Sequence, residues 1–219
     1  MTLKAIATAA GIAAGVLACA GQAQAAVNVI VNGSFEADFG GWTESENAYA
    51  STLAPGGLFA PSNSGSDRTY GVPNGARFAV VTGNAPDTPV TLTQTFELTY
   101  AMVLSGWAAF VAYDGLPFND EVSVYLEGFA DTPLFASNVA AVGDQGDTPW
   151  TSFSIELQPG VYTLVASSTN ILDGAVASSL LLDNVRLTGV PEPAAWVMMI
   201  GGFFGAGALL RGRRGPLAA

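Results

Sequence analysis

Histidine is absent from this 219-residue chain, lysine occurs once (Lys4) and cysteine once (Cys19). Each absence removes a chemistry. Past Cys19 no His, Lys or Cys remains to act as base or thiol nucleophile, so the usual serine and cysteine catalytic arrangements cannot be assembled. Zinc hydrolysis fails for want of nitrogen and sulfur ligands, and the body of the chain can form no internal disulfide. The Gly-rich stretches are not followed by GK[ST], so a phosphate-cradling loop is also missing. What survives is carboxylate chemistry: a pair of acids working on a glycoside, for which Asp114, Asp120, Glu121 and Glu127 are the available groups.

Positive charge is scarce as well, with 7 basic residues against 18 acidic. Between Ala26 and Val190 there are 17 acids and only Arg68, Arg77 and Arg186, a formal charge near −14. A field of that sign repels nucleic acid and anionic lipid, and it favours cations or neutral partners.

The ends of the chain differ from this body. Residues 1–25 carry Lys4, an Ala-rich apolar stretch from Ala5 to Ala20 and then Ala23-Gln24-Ala25. That is the order of a secretory signal peptide, predicting cleavage by signal peptidase between Ala25 and Ala26. Near the other end Ala194–Leu210 is free of charge for 17 residues, about 25 Å as a helix and so at the short end for a membrane span. Arg211, Arg213 and Arg214 follow at once, and basic flanks stay cytoplasmic. The expected orientation is body outside, arginines inside. Pro191 and Pro193 hold the intervening segment extended, which suits either a processing enzyme or a plain proline linker.

Pro191-Glu192-Pro193, Trp196, the apolar run containing Met199, Ile200, Gly201 and Phe203, and Arg211, Arg213 and Arg214 together resemble the PEP-CTERM protein-sorting signal in its Trp-containing variety. The resemblance implies a Gram-negative envelope protein, exported and held transiently in the inner membrane. It also implies processing by an exosortase, with final release to the cell surface or extracellular matrix, and association with exopolysaccharide and biofilm. The organisation expected is a signal peptide (1–25), a folded body (26–190), a sorting signal (191–214) and a cytoplasmic tail (215–219).

The body reads as all-β. Val90–Leu98, Val122–Leu126 and Phe153–Leu157 alternate apolar with polar residues, the period of half-buried antiparallel strands. Further strands are expected at Val27–Val31, Ala76–Thr82, Ala101–Tyr113, Gly160–Ser168 and Ser179–Thr188, separated by Pro, Gly, Asn and Asp clusters. About eight strands and no convincing amphipathic helix predict an antiparallel two-sheet sandwich of jelly-roll type. Thr43–Asn74 has little periodicity and reads as a surface excursion.

Val27–Trp42 (VNVIVNGSFEADFGGW) and Leu180–Thr188 (LLLDNVRLT) resemble the first and last strands of galactose-binding-like jelly rolls. That resemblance implies adjacent terminal strands, a structural calcium held by Glu36 and Asp183, and carbohydrate binding. On parity alone Asp183 shares a face with Val185 and Leu187, so it points toward the apolar side unless a bulge intervenes. An inward carboxylate needs a cation or several donors, and an oxygen-only donor set suits calcium. The segment Tyr113–Glu121, with Asp114, Asn119, Asp120 and Glu121, reads as a solvated acidic loop or a second cation site. Among the aromatics Trp42, Tyr49, Tyr70, Trp107 and Trp150, the one after the Gly40-Gly41 turn, Trp42, is expected to be exposed for sugar stacking, and Trp107 to be core. The function these features predict is a non-catalytic, exported, polysaccharide-associated protein; the alternatives are a sorted scaffold with protein partners and, third, a glycosidase.

Overall fold

The computed structural model describes residues 29–45, 49–52, 68–189 and 200–204. The signal-peptide cleavage site, the motif 191–193, Trp196 and the arginine cluster lie outside the described residues. Among the described residues no helix is long and apolar enough to cross a membrane.

Among the described residues ten strands form two antiparallel five-stranded sheets. Sheet 1 runs β1 (Thr43–Glu44), β4 (Val90–Leu98), β9 (Gly160–Thr169), β6 (Glu121–Leu126), β7 (Phe135–Asn138). Sheet 2 runs β2 (Tyr49–Thr52), β3 (Ala79–Thr82), β10 (Ser179–Gly189), β5 (Met102–Val111), β8 (Thr151–Leu157). The predicted alternation holds where it was clearest: in β4, Val90, Leu92, Phe96 and Leu98 are buried, whereas Thr91, Thr93, Thr95 and Glu97 face outward. These inward rows meet Leu104, Ala108, Phe110, Leu180 and Leu182 of sheet 2 in one core between the sheets, and removing that apolar surface from water is the main favourable term of the fold.

Three expectations are corrected. Val29–Val31, the described part of the expected first strand, is not a strand; its backbone is instead held by the buried side chain of Gln94, which accepts from Val31 N (2.7 Å) and donates to Val31 O (2.9 Å) and Gly41 O (2.8 Å). The segment after Thr43 is not merely a surface excursion. It supplies β1 and β2, and its end lays Tyr70 on the outer face of sheet 2, where Tyr70, Phe78, Val80, Ala109, Val111 and Leu181 form a second apolar cluster. The third concerns Asn138, which accepts from Ala141 N and so starts a one-turn helix, α1 (Val139–Val142), that the sequence pattern did not announce.

The acidic segment around Asp120 is also not simply solvated. Asp120 is fully buried: its Oδ1 accepts from Ile171 N (2.8 Å) and its Oδ2 from Ser178 N (3.0 Å) and Ser178 Oγ (2.7 Å). It thereby closes the loop between β9 and β10 against the start of β6. Asp120→Ala leaves three donors without an acceptor, two of them in a buried position, and should cost about 3 kcal/mol or more. Urea unfolding checks this, and a midpoint like that of the parent would mean the loop does not depend on the carboxylate.

Candidate functional site

Two places carry chemistry that the core does not need. The first lies where the chain enters and leaves the body. β10 pairs with β5 in register up to Asp183↔Trp107 and resumes at Arg186↔Ser105, so an irregularity separates the two halves of the strand. Asn184 takes it up at φ 53, a left-handed conformation that Asn tolerates better than most residues. Val185 and Leu187 return to the core, whereas Asp183 stays on the same face as Leu181. The parity argument that put Asp183 toward the core is thus corrected: the bulge re-aims it to the outer face of sheet 2, and the turn at 74–77 covers it there.

Asp183 is fully buried, with Oδ2 accepting from Asn74 N (2.8 Å) and Oδ1 from Asn184 N (2.6 Å). Glu36 grips the same turn, its Oε1 accepting from Ala76 N (2.7 Å) and Arg77 N (2.9 Å). Gly75 between them has φ 78, and a Cβ there would stand 2.3 Å from Glu36 Oε1, so this position requires glycine on two counts. Burial raises the Asp183 carboxyl to about 7; the Asn74 and Asn184 amides oppose the rise and the charge of Glu36 adds to it.

The structure therefore brings together the two residues expected to hold calcium. Their donor set fits calcium in kind, because both supply carboxylate oxygens. In number it fits only if backbone carbonyls or water complete six to eight positions; among the described residues no group of three or more acids is arranged for a metal. The expected closeness of the chain's entry and exit is also present. Val185 N donates to Gly33 O (2.8 Å), and a Cβ on Gly33 would fall 1.9 Å from Val185 O.

The second place is a groove of about 490 Å³ on the outer face of sheet 1. Outward residues of β6 (Glu121, Ser123, Tyr125) and β9 (Ser167, Thr169) form its floor, and Ala136 and Asn138 of β7, with Pro133, form one wall. Register places Tyr125 beside Val165, Ser123 beside Ser167 and Glu121 beside Thr169. The lining is thus a row of hydroxyls with one aromatic ring and one carboxylate, which can give and take hydrogen bonds and offer a flat apolar face.

Trp42, expected to be the exposed sugar-stacking residue, is corrected to core. It is 8% exposed, its ring lies 5.2 Å from that of Phe35, and its Nε1 donates to Asn32 O. Tyr70 is buried, and Trp150 is half-buried edge-on against Tyr70 and Phe78. Trp107 is half-buried on the outer face of sheet 2 rather than in the core. Of the four acids available for a glycosidase pair, three are dispersed in role: Asp120 is buried and bonded, Glu121 lies in the groove, and Asp114 sits at the loop end where burial, with Asp120, Asp173 and Asp144 nearby, holds its carboxyl above the usual range. Tyr125 was not singled out in the sequence as lining a groove; the alternation Glu121, Ser123, Tyr125 was the signal that could have found it.

No family model matches the chain, and no curated protein matches it. Among solved structures it is similar to the enzymatically active domain of bacteriophage CBA120 tailspike protein 4 (13% identity, TM-score 0.43, 75% of this chain and 22% of that one). It is also similar to the carbohydrate-binding module TmCBM61 in complex with β-1,4-galactotriose (14% identity, TM-score 0.42, 75% of this chain and 99% of that one). A third is the K3 cleaved adhesin domain of Lys-gingipain from Porphyromonas gingivalis (14% identity, TM-score 0.44, 74% of this chain and 100% of that one). The chain spans about a fifth of the tailspike domain's length. These are distant likenesses of fold, and neither ligand nor reaction is inferred from them.

The raised Asp183 carboxyl has a definite sign in stability. An acid held above its unfolded value binds its proton more tightly when folded, so its contribution is greatest below about pH 4 and is lost as pH rises toward 7. In chelator the parent should lose stability over that window and Asp183→Asn should lose less. Equal slopes in denaturant unfolding at stepped pH would show that Asp183 does not titrate there.

Proposed function

We propose that the body is a non-catalytic glycan-binding module of an exported envelope protein. The observation that carries the reading is the sheet 1 groove, which Ser123, Ser137, Ser167 and Thr169 line together with the half-buried Tyr125. Sugars present hydroxyls at their edges and C–H patches on their faces, and such a lining answers both. Glu121 is the one carboxylate lining the groove, whereas glycoside hydrolysis uses two flanking one bond; this supports binding over cleavage.

Glu36 and Asp183 would hold a structural calcium that offsets their mutual repulsion and fixes the 74–77 turn. With calcium present the pH-dependent loss of stability in the parent should shrink, while Asp183→Asn should be little affected. Signal peptidase, the inner membrane and an exosortase complete the proposal, on the strength of the sequence at 23–26 and 191–214. Replacing Pro191, Glu192 and Pro193 with alanine should leave an unprocessed membrane-bound form in cells; a mature mass identical to the parent's would refute sorting through that motif.

A second reading, a scaffold for protein partners, is favoured by a smaller apolar cleft of about 240 Å³ lined by Leu126, Phe129, Leu134, Ile155, Leu157 and Tyr162, with Phe129 59% exposed. Co-sedimentation of the exported chain with exopolysaccharide separates the two. Binding that falls by about three- to tenfold in Tyr125→Ala, the scale of one lost ring contact, supports the groove. Absence of binding in both calcium and chelator would favour the scaffold.

A further inference from the structure

The charges of the body are not evenly placed. The strands of sheet 1 carry Glu97 and Glu121 on their outer face and contain no lysine or arginine. The three arginines of the body lie elsewhere. Arg186 belongs to β10 of sheet 2, Arg68 bonds to Asp147 at 2.6 Å, and Arg77 bonds to Asp38. Among the described residues, therefore, no cationic side chain on the groove face can pair with the carboxylate, sulfate or phosphate of an acidic sugar. Such a group would instead meet the glutamates without a counter-charge, inside a body whose formal charge is near −14.

Within the groove the chemistry has a definite polarity. Asn138 Oδ1 is already used on Ala141 N, so its amide offers mainly donors. The hydroxyls of Ser123, Ser137 and Thr169 serve either role. Glu121 is exposed at the mouth, directly across from Asn138 in the β6–β7 pair and from Thr169 in the β6–β9 pair. A carboxylate so placed, beside the Thr169 hydroxyl, is matched by a ligand ammonium group bonded to it and to the neighbouring hydroxyls.

We propose that the glycan taken by this groove carries free amino groups, as in a hexosamine chain with unacetylated residues, and that Glu121 is the residue selecting it. The proposal rests on the glycan-binding reading above. Long-range attraction between an acidic body and a cationic polymer would raise encounter rates for any such chain; what distinguishes the groove is dependence on one particular carboxylate.

The test is equilibrium binding of the exported chain to three soluble polymers of matched length, in chelator so that calcium cannot bridge carboxylates: a partly de-N-acetylated hexosamine polymer, its fully acetylated form and a polyuronate. The expected order is de-acetylated first, acetylated at least tenfold weaker, and polyuronate undetectable. Glu121→Gln should abolish the preference for the de-acetylated chain, whereas Glu156→Gln, the same charge change on β8 of sheet 2, should retain it. Equal weakening by both variants would reduce the effect to non-specific charge and overturn the proposal. Preference for the polyuronate, or for the acetylated chain, overturns it as well while leaving the glycan-binding reading intact. Binding to none of the three, together with none to native exopolysaccharide, is the failure of that reading itself.

Discussion

The extra backbone residue in β10 is the constraint on which the entry end of the sandwich depends. Without the irregularity between Asp183 and Arg186, strict alternation would send either Asp183 or Val185 to the wrong face. With it, Leu182 and Val185 both reach the core while Leu181 and Asp183 both reach the outer face of sheet 2. The same kink points Val185 N away from its own sheet toward Gly33 O. That single contact admits the entry segment so closely that no Cβ fits at Gly33. Glu36, three residues on, is thereby delivered to the turn that Asp183 already holds. Bulges commonly re-aim side chains near functional sites; here one bulge assembles a carboxylate pair from residues 147 positions apart in sequence.

The two ends of the entry segment are secured by different means. On the sheet 2 side the partner is backbone, through Gly33 and Val185. On the sheet 1 side it is Gln94, a buried side chain inserted in an otherwise apolar row of β4, which meets both the N–H and the C=O of Val31. A strand pairing would have satisfied the same groups, and its absence explains why Val29–Val31 departs from the strand that its apolar composition predicts. Phe35 and Trp42 then fill the space under the segment. Trp42 is buried because this plug needs volume, even though its Gly-Gly neighbours suggested an exposed turn.

How much of this was legible follows from which signals are local. The long strands were, because period-two patterning in Val90–Leu98 or Phe153–Leu157 reports directly on a two-faced environment. The closeness of entry and exit came through resemblance and the structure carries it. The direction of Asp183 was not legible, since a bulge has no reliable composition and one slipped residue inverts every later assignment. Nor was the burial of Asp120: the donors it satisfies, on Ile171 and Ser178, come from more than 50 residues downstream. The groove fell between these cases. Its alternating residues were plain in β6, but that β9 and β7 would flank them was a matter of sheet order, which the pattern of one strand does not encode.

Sheet order also fixes where the groove lies relative to the chain's exit. Gly189 pairs with Met102, and Met102 pairs with Leu157, which turns directly into Gly160 at the start of β9. The groove's Ser167 and Thr169 stand at the other end of that strand, about 25–30 Å away at the usual rise per residue. A body tethered through residues beyond Gly189 would therefore hold the groove outward from its attachment, with the apolar cleft at Leu126, Phe129 and Leu157 on the near side.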